Sequence, residues 1–95
     1  ISALVMDKIK DISLVLAASD DARLIEKFLR SILTENEIAE ISSRWELVRM
    51  LDEGISQRKI AEKLGLSLCK ITRGSKELKK NPSAFKQMID LYKQA

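Results

Sequence analysis

Between Ser56 and Lys80 the chain carries eight basic side chains (Arg58, Lys59, Lys63, Lys70, Arg73, Lys76, Lys79 and Lys80), opposed only by Glu62 and Glu77, so this stretch alone holds a charge of +6. Unopposed cations in a compact block make a surface suited to a polyanion, the alternative being an ordinary solvated lysine-rich face. Two further positions invite chemistry. On a wheel of about 100° per residue, Arg44 falls inside the apolar sector formed by Leu47, Leu51, Val48, Ile41, Ile38 and Trp45. An unpaired charge there would be costly, so Arg44 needs either an internal acid from the first forty residues or a planar or anionic ligand. Arginine's flat, stackable, multi-donor head suits the second task. Gly74 stands three residues beyond Ile71, where a helix of this kind normally carries an aliphatic anchor. Glycine costs about 1 kcal/mol of helix propensity relative to alanine and leaves a gap beside Arg73, read either as a kink or as a slot for a flat ligand.

Covalent and metal chemistry find little here. With no histidine and a single cysteine, the chain lacks a serine–histidine triad, a histidine-ligated zinc, an intrachain disulfide and a cysteine cluster. Cys69 has no histidine to activate it and reads as a small apolar surface residue. No acid–base constellation stands out among the carboxylates, so the expectation is a protein that is not an enzyme and holds no metal. Asp7, Lys8 and Lys10 interrupt the apolar start too early for a signal peptide or a membrane span, and the opening Ile1 reads as a trimmed start. The expectation is a cytoplasmic protein without a membrane partner.

The elements that must position these residues are all helical. Apolar residues recur at three- and four-residue spacing, and strict alternation is absent. Val5, Ile9, Ile12 and Leu16 form one stripe; Ile25, Phe28, Leu29 and Ile32 form a second after the capping-type pair Asp20 and Asp21. Thr34-Glu35-Asn36-Glu37 is a capping box flanked by the staple pair Leu33 and Ile38. The helix it opens runs to about Glu53, with Gly54 as its left-handed cap. Ser56 caps a short helix that Gly65 ends, Ser67 caps another, and a last helix after Asn81-Pro82 carries Phe85, Met88, Ile89 and Tyr92 on one face. The predicted fold is all-α with six helices in one domain: core helices over 1–53, a basic head over 56–80 and a final helix over 83–95. A chain this short buries only about 60–65% of its unfolded surface, so a thin core or an obligate dimer is expected.

Within the head, the stretch QRKIAEKLGLSLCKITRG has the spacing of a helix-turn-helix. Ala61 permits a close crossing, Gly65 takes the positive φ of the turn, and Ile60, Leu64, Leu66 and Ile71 form the apolar wedge. Leu68, Cys69, Lys70, Thr72 and Arg73, after the cap Ser67, would then point at base edges and phosphates in a major groove. The alternative is a packing corner, which gives no reason for the +6 block to fall on the same residues.

The segments LTENE, SQRKIAEKLG and ITRGS followed by LK, together with Arg44, resemble the bacterial tryptophan repressors over about Leu33 to Lys80. That resemblance implies an intertwined all-helical homodimer that takes L-tryptophan as corepressor and binds a palindromic double-stranded operator of tryptophan biosynthesis or uptake genes. Carried over, the arginines that sandwich the indole are Arg44 and Arg73, with Arg73 also meeting the ligand carboxylate. Gly74 is the glycine against which the indole lies, and Leu33 and Thr34 supply backbone from the other subunit to the amino group. On the DNA side the resemblance implies that Arg58 reads a guanine and that Gln57 and Thr72 contact phosphate. Ser67, Leu68, Cys69 and Lys70 occupy the groove-facing helix start, and Lys76 and Lys79 add to the basic face. The sequence departs from the family at Glu77, where a serine is common near the ligand's polar end, and at Ser31, where an aliphatic residue is common. It also departs in a loop before Ser56 that is one residue shorter, and in Cys69-Lys70, which replaces smaller neutral residues. The competing readings are a ligand-independent helix-turn-helix module like that of replication initiators, and a structural domain contacting RNA or an acidic protein.

Overall fold

The computed structural model describes residues 6–95 and contains six helices: α1 (Ile9–Ala18), α2 (Ala22–Ile32), α3 (Glu35–Asp52), α4 (Gln57–Leu64), α5 (Leu68–Lys79) and α6 (Ala84–Gln94). The fold is all-α, as expected; Val5 of the first predicted stripe lies outside the described residues. Side-chain oxygens cap four of the starts. Asp21 accepts from the amides of Arg23 and Leu24, Ser56 from Lys59, Ser67 from Lys70 and Ser83 from Lys86. Each such bond satisfies one of the amides that a first helical turn leaves orphaned. The first three caps are legible in the sequence; Ser83, the residue directly after Asn81-Pro82, is not singled out there as a cap. Helix α3 begins directly after Thr34, where the capping box puts its start.

Contacts divide the chain into two compact units, one ending at Asn36 and one spanning Glu37–Ala95. In the first, Ile12 and Leu16 of α1 and Ile25, Phe28 and Leu29 of α2 are half-buried, while Ile9, Leu14, Val15, Leu24 and Ile32 are exposed. Neither helix has a fully buried residue.

The second unit holds the core. Leu47, Val48 and Met50 of α3, Ile60 of α4, Ile71 of α5 and Ile89 of α6 are buried together, with Leu64, Leu66 and Ala61 packed against them. Ile60 and Ile71 are at 0% exposure, so the predicted wedge sits at the centre of the unit. Met50, about 60° from Leu47 on the helical wheel, widens the predicted sector of α3.

The turns on either side of α4 need glycine. Gly54 (φ 86°) closes α3: its amide donates to Leu51 O and that of Ile55 to Met50 O, the paired bonds of a Schellman cap. Gly65 (φ 65°) ends α4 with its amide on Ala61 O at 2.9 Å.

Helix α6 is tied to α3 by Asp52. Its side chain, only 8% exposed, accepts from Lys93 Nζ at 2.6 Å and Lys86 Nζ at 2.9 Å. The bonds from Lys93 and then Lys86 hold its carboxyl below the usual carboxylate range, and the bond to Asp52 raises the Lys86 ammonium. A carboxyl depressed by folding contributes stability above its unfolded pKa and loses that contribution as pH falls through the folded value. Asp52→Asn is therefore expected to cost about 1–3 kcal/mol at neutral pH. The deficit should shrink in acid, where wild type has lost the same contribution; thermal unfolding of both proteins across that range measures it.

Candidate functional site

The chemistry-bearing residues converge where α5 meets α3. A Cβ built on Gly74 would overlap Leu47 Cδ1 and stand 3.0 Å from Val48 Cγ2. The glycine therefore serves the approach of the two helices. Helix α5 runs through Gly74 without interruption, Leu47 fills the space where its Cβ would stand, and Gly74 still lines the cleft beside the crossing.

Beside this crossing lies a cleft of about 730 Å³, lined by Arg44, Trp45, Leu47 and Val48 of α3, by Lys70, Arg73, Gly74 and Glu77 of α5, and by Lys80, Pro82, Ala84, Phe85 and Met88. That size lies within the range of small-molecule sites. The floor is apolar and partly aromatic. Trp45 stacks on Phe85 with centroids 5.8 Å apart and meets the Tyr92 ring edge-on at 5.7 Å. Four cations and one carboxylate stand on its walls.

Arg44 lines the cleft but is not buried: its side chain is 60% exposed and pairs with Glu40 at 3.1 Å. The expectation of a guanidinium inside an apolar sector is corrected, because that sector opens to the surface at Ile41, which is 44% exposed. The partner is an acid of the first forty residues, one helical turn back, a spacing that was legible. Glu40 also holds Lys70 at 3.6 Å, so one carboxylate joins a cleft arginine to a lysine of α5. Glu77 Oε2 forms an ion pair with Lys80 Nζ at 2.6 Å. Arg73 is exposed and makes no ion pair or hydrogen bond among the described residues.

Four of the six residues assigned to a ligand, Arg44, Arg73, Gly74 and Glu77, thus line one cleft. Leu33 and Thr34 belong to the other compact unit, where Leu33 ends α2 with its amide on Leu29 O at 3.0 Å. The wall contributed by Pro82, Phe85 and Met88 was missed as a site. The sequence shows Phe85 and Met88 only as part of one apolar face of the last helix, and the signal that this face borders a cavity is tertiary.

Of the residues assigned to nucleic acid, Arg58, Leu68, Cys69, Lys70, Thr72, Lys76 and Lys79 are exposed on α4 and α5, and Gln57 is half-buried at the start of α4. Ser67 Oγ is engaged as a cap, accepting from the Lys70 amide at 3.4 Å. Two cations of the block, Lys70 and Lys80, are in ion pairs; Arg58, Lys59, Lys63, Arg73, Lys76 and Lys79 have none among the described residues. Among the described residues no group of acids and cysteine is placed to hold a metal ion, and no helix is long and apolar enough to cross a membrane.

Compared with known proteins, residues 7–93 match the family model described as Trp repressor protein. A Trp operon repressor homolog of Chlamydia trachomatis serovar L2 is 42% identical over 69 residues, covering 67% of this chain and 73% of that protein. One from Vibrio parahaemolyticus is 33% identical over 78 residues, covering 81% and 76%, and one from Xylella fastidiosa is 40% identical over 65 residues, covering 67% of each chain. No solved structure gives a significant match.

Proposed function

The chain belongs to the Trp repressor family, a family of transcription regulators, and from that premise we propose that it is an L-tryptophan-dependent repressor acting as a homodimer on a palindromic operator in the bacterial cytoplasm. The observation that carries this reading is that Arg44 and Arg73 line one cleft with an apolar floor, set against α5, on which Arg73, Lys76 and Lys79 have no ion pair among the described residues. Tryptophan fills the cleft between the two guanidinium groups, with its carboxylate on Arg73. Leu33 and Thr34 of the partner subunit offer backbone to its amino group. The bound indole braces α5 against α3, so that the two α5 helices of a dimer stand about 34 Å apart, one turn of DNA.

A dimer accounts for the apolar side chains that this chain leaves in water on α1 and α2 and, at Met88, Leu91 and Tyr92, on α6. Affinity comes largely from phosphate contacts by the +6 block and falls steeply with salt. Specificity comes from Arg58, Lys70 and water-mediated contacts. By linkage, operator DNA tightens tryptophan binding by the same factor as tryptophan tightens operator binding.

Calorimetry tests the corepressor: no uptake of L-tryptophan at millimolar concentration would sink the claim. Arg44→Ala is expected to remove the tryptophan response of a DNA mobility shift while leaving nonspecific binding intact. Loss of both together would make Arg44 a structural residue.

A further inference from the structure

We infer that Glu77 makes this cleft selective for a zwitterionic ligand, rejecting indole acids that lack an amino group; the inference rests on the corepressor reading above. Glu77 is the one carboxylate among the residues lining a cleft that also presents Arg44, Lys70, Arg73 and Lys80. Those cations satisfy any ligand carboxylate by themselves. A ligand bearing only a carboxylate therefore gains nothing from Glu77 and meets its negative charge, whereas an α-amino acid gives it an ammonium to hold.

The placement supports this division of labour. Arg73 and Glu77 are four residues apart on α5, hence on one face, and at that spacing they are free to pair with each other. They do not pair: Arg73 has no ion-pair partner among the described residues, and Glu77 turns to Lys80. A guanidinium and a carboxylate thus remain separately available on the same wall. Glu77 Oε2 is engaged by Lys80, while Oε1 accepts no hydrogen bond among the described residues. The Lys80 pair is an exposed i,i+3 contact, 64% and 44% exposed on its two sides, of a kind that contributes little and yields to a better-placed partner. A ligand ammonium held over the apolar floor is less hydrated than Lys80 and gains more from the same carboxylate.

The test is a calorimetric titration of the full chain with L-tryptophan and with indole-3-propionate, which keeps the ring and carboxylate but lacks the amine. Wild type is expected to favour L-tryptophan by about tenfold or more. Glu77→Gln should lower that ratio by a similar factor through weaker tryptophan binding, with Glu77→Asp recovering part of it. Lys80→Ala, which releases Glu77 from its present partner, should widen the ratio and carries the test should Glu77→Gln fail to fold. Equal affinity of wild type for the two ligands overturns the inference, as does a ratio unmoved by Glu77→Gln or narrowed or unmoved by Lys80→Ala. Those results leave the corepressor reading standing. Failure of wild type to bind either ligand removes that reading, and this inference with it.

Discussion

Gly74→Val is expected to destabilise the unit formed by residues 37–95 by roughly 2–3 kcal/mol and to close the cleft to tryptophan. Two effects oppose each other. Valine is the better helix former by a few tenths of a kcal/mol, which favours the variant. Against this, the first carbon alone would overlap Leu47 Cδ1 and crowd Val48 Cγ2, and both residues are at 1% exposure in the core. The β-branched carbons come on top of that, so α5 must lift from α3. Lifting it also displaces Arg73 relative to Arg44, and positioning errors of this kind are felt strongly in binding. Thermal unfolding and a tryptophan titration of the same preparation check the two consequences. A variant as stable as wild type would show that Leu47 can repack, and that the close approach at Gly74 is not needed for the fold.

Arg73→Ala is expected to lose two functions at once. In the cleft, removing a charged donor from a ligand carboxylate costs about 1.5–3 kcal/mol, roughly 10- to 150-fold in tryptophan affinity. Arg73 spends nothing on an internal partner, whereas Arg44 must share itself with Glu40. On the DNA side, removing one phosphate-facing cation should weaken binding to all sequences and reduce the salt slope by about one. Mobility shifts at several salt concentrations, with and without tryptophan, separate the two losses. Retained tryptophan affinity would move the carboxylate contact to Lys70 or Lys80.

Much of the fold could be read from local chemistry. Asp21, Ser56 and Ser67 cap where their side chains suggest, Gly54 and Gly65 take positive φ at the two turns, and Ile60 and Ile71 are buried at the corner. These depend on residues at most a few positions apart. What escaped depends on distant parts of the chain meeting. The polar content of α3 hides that Arg44 lies on a surface, because a helical wheel says which residues share a side but not whether anything covers it. Gly74 signalled a missing side chain; only the position of Leu47 says that the vacancy is filled. The cleft's far wall, with Phe85 and Met88, appears once α6 has packed on Trp45. Glu40, unassigned from the sequence, emerges as the link between Arg44 and Lys70.

Neither α1 nor α2 has a fully buried side chain, and Leu14, Val15, Leu24 and Ile32 each stand more than half exposed. Helices of this length are marginal in water on their own, so in the proposed dimer their order is a gift of mass action. Dilution then acts on the protein as a denaturant does, and a melting temperature has no meaning without the concentration at which it was taken. In a cell, the number of copies sets both how many operators are occupied and what fraction of each chain is folded.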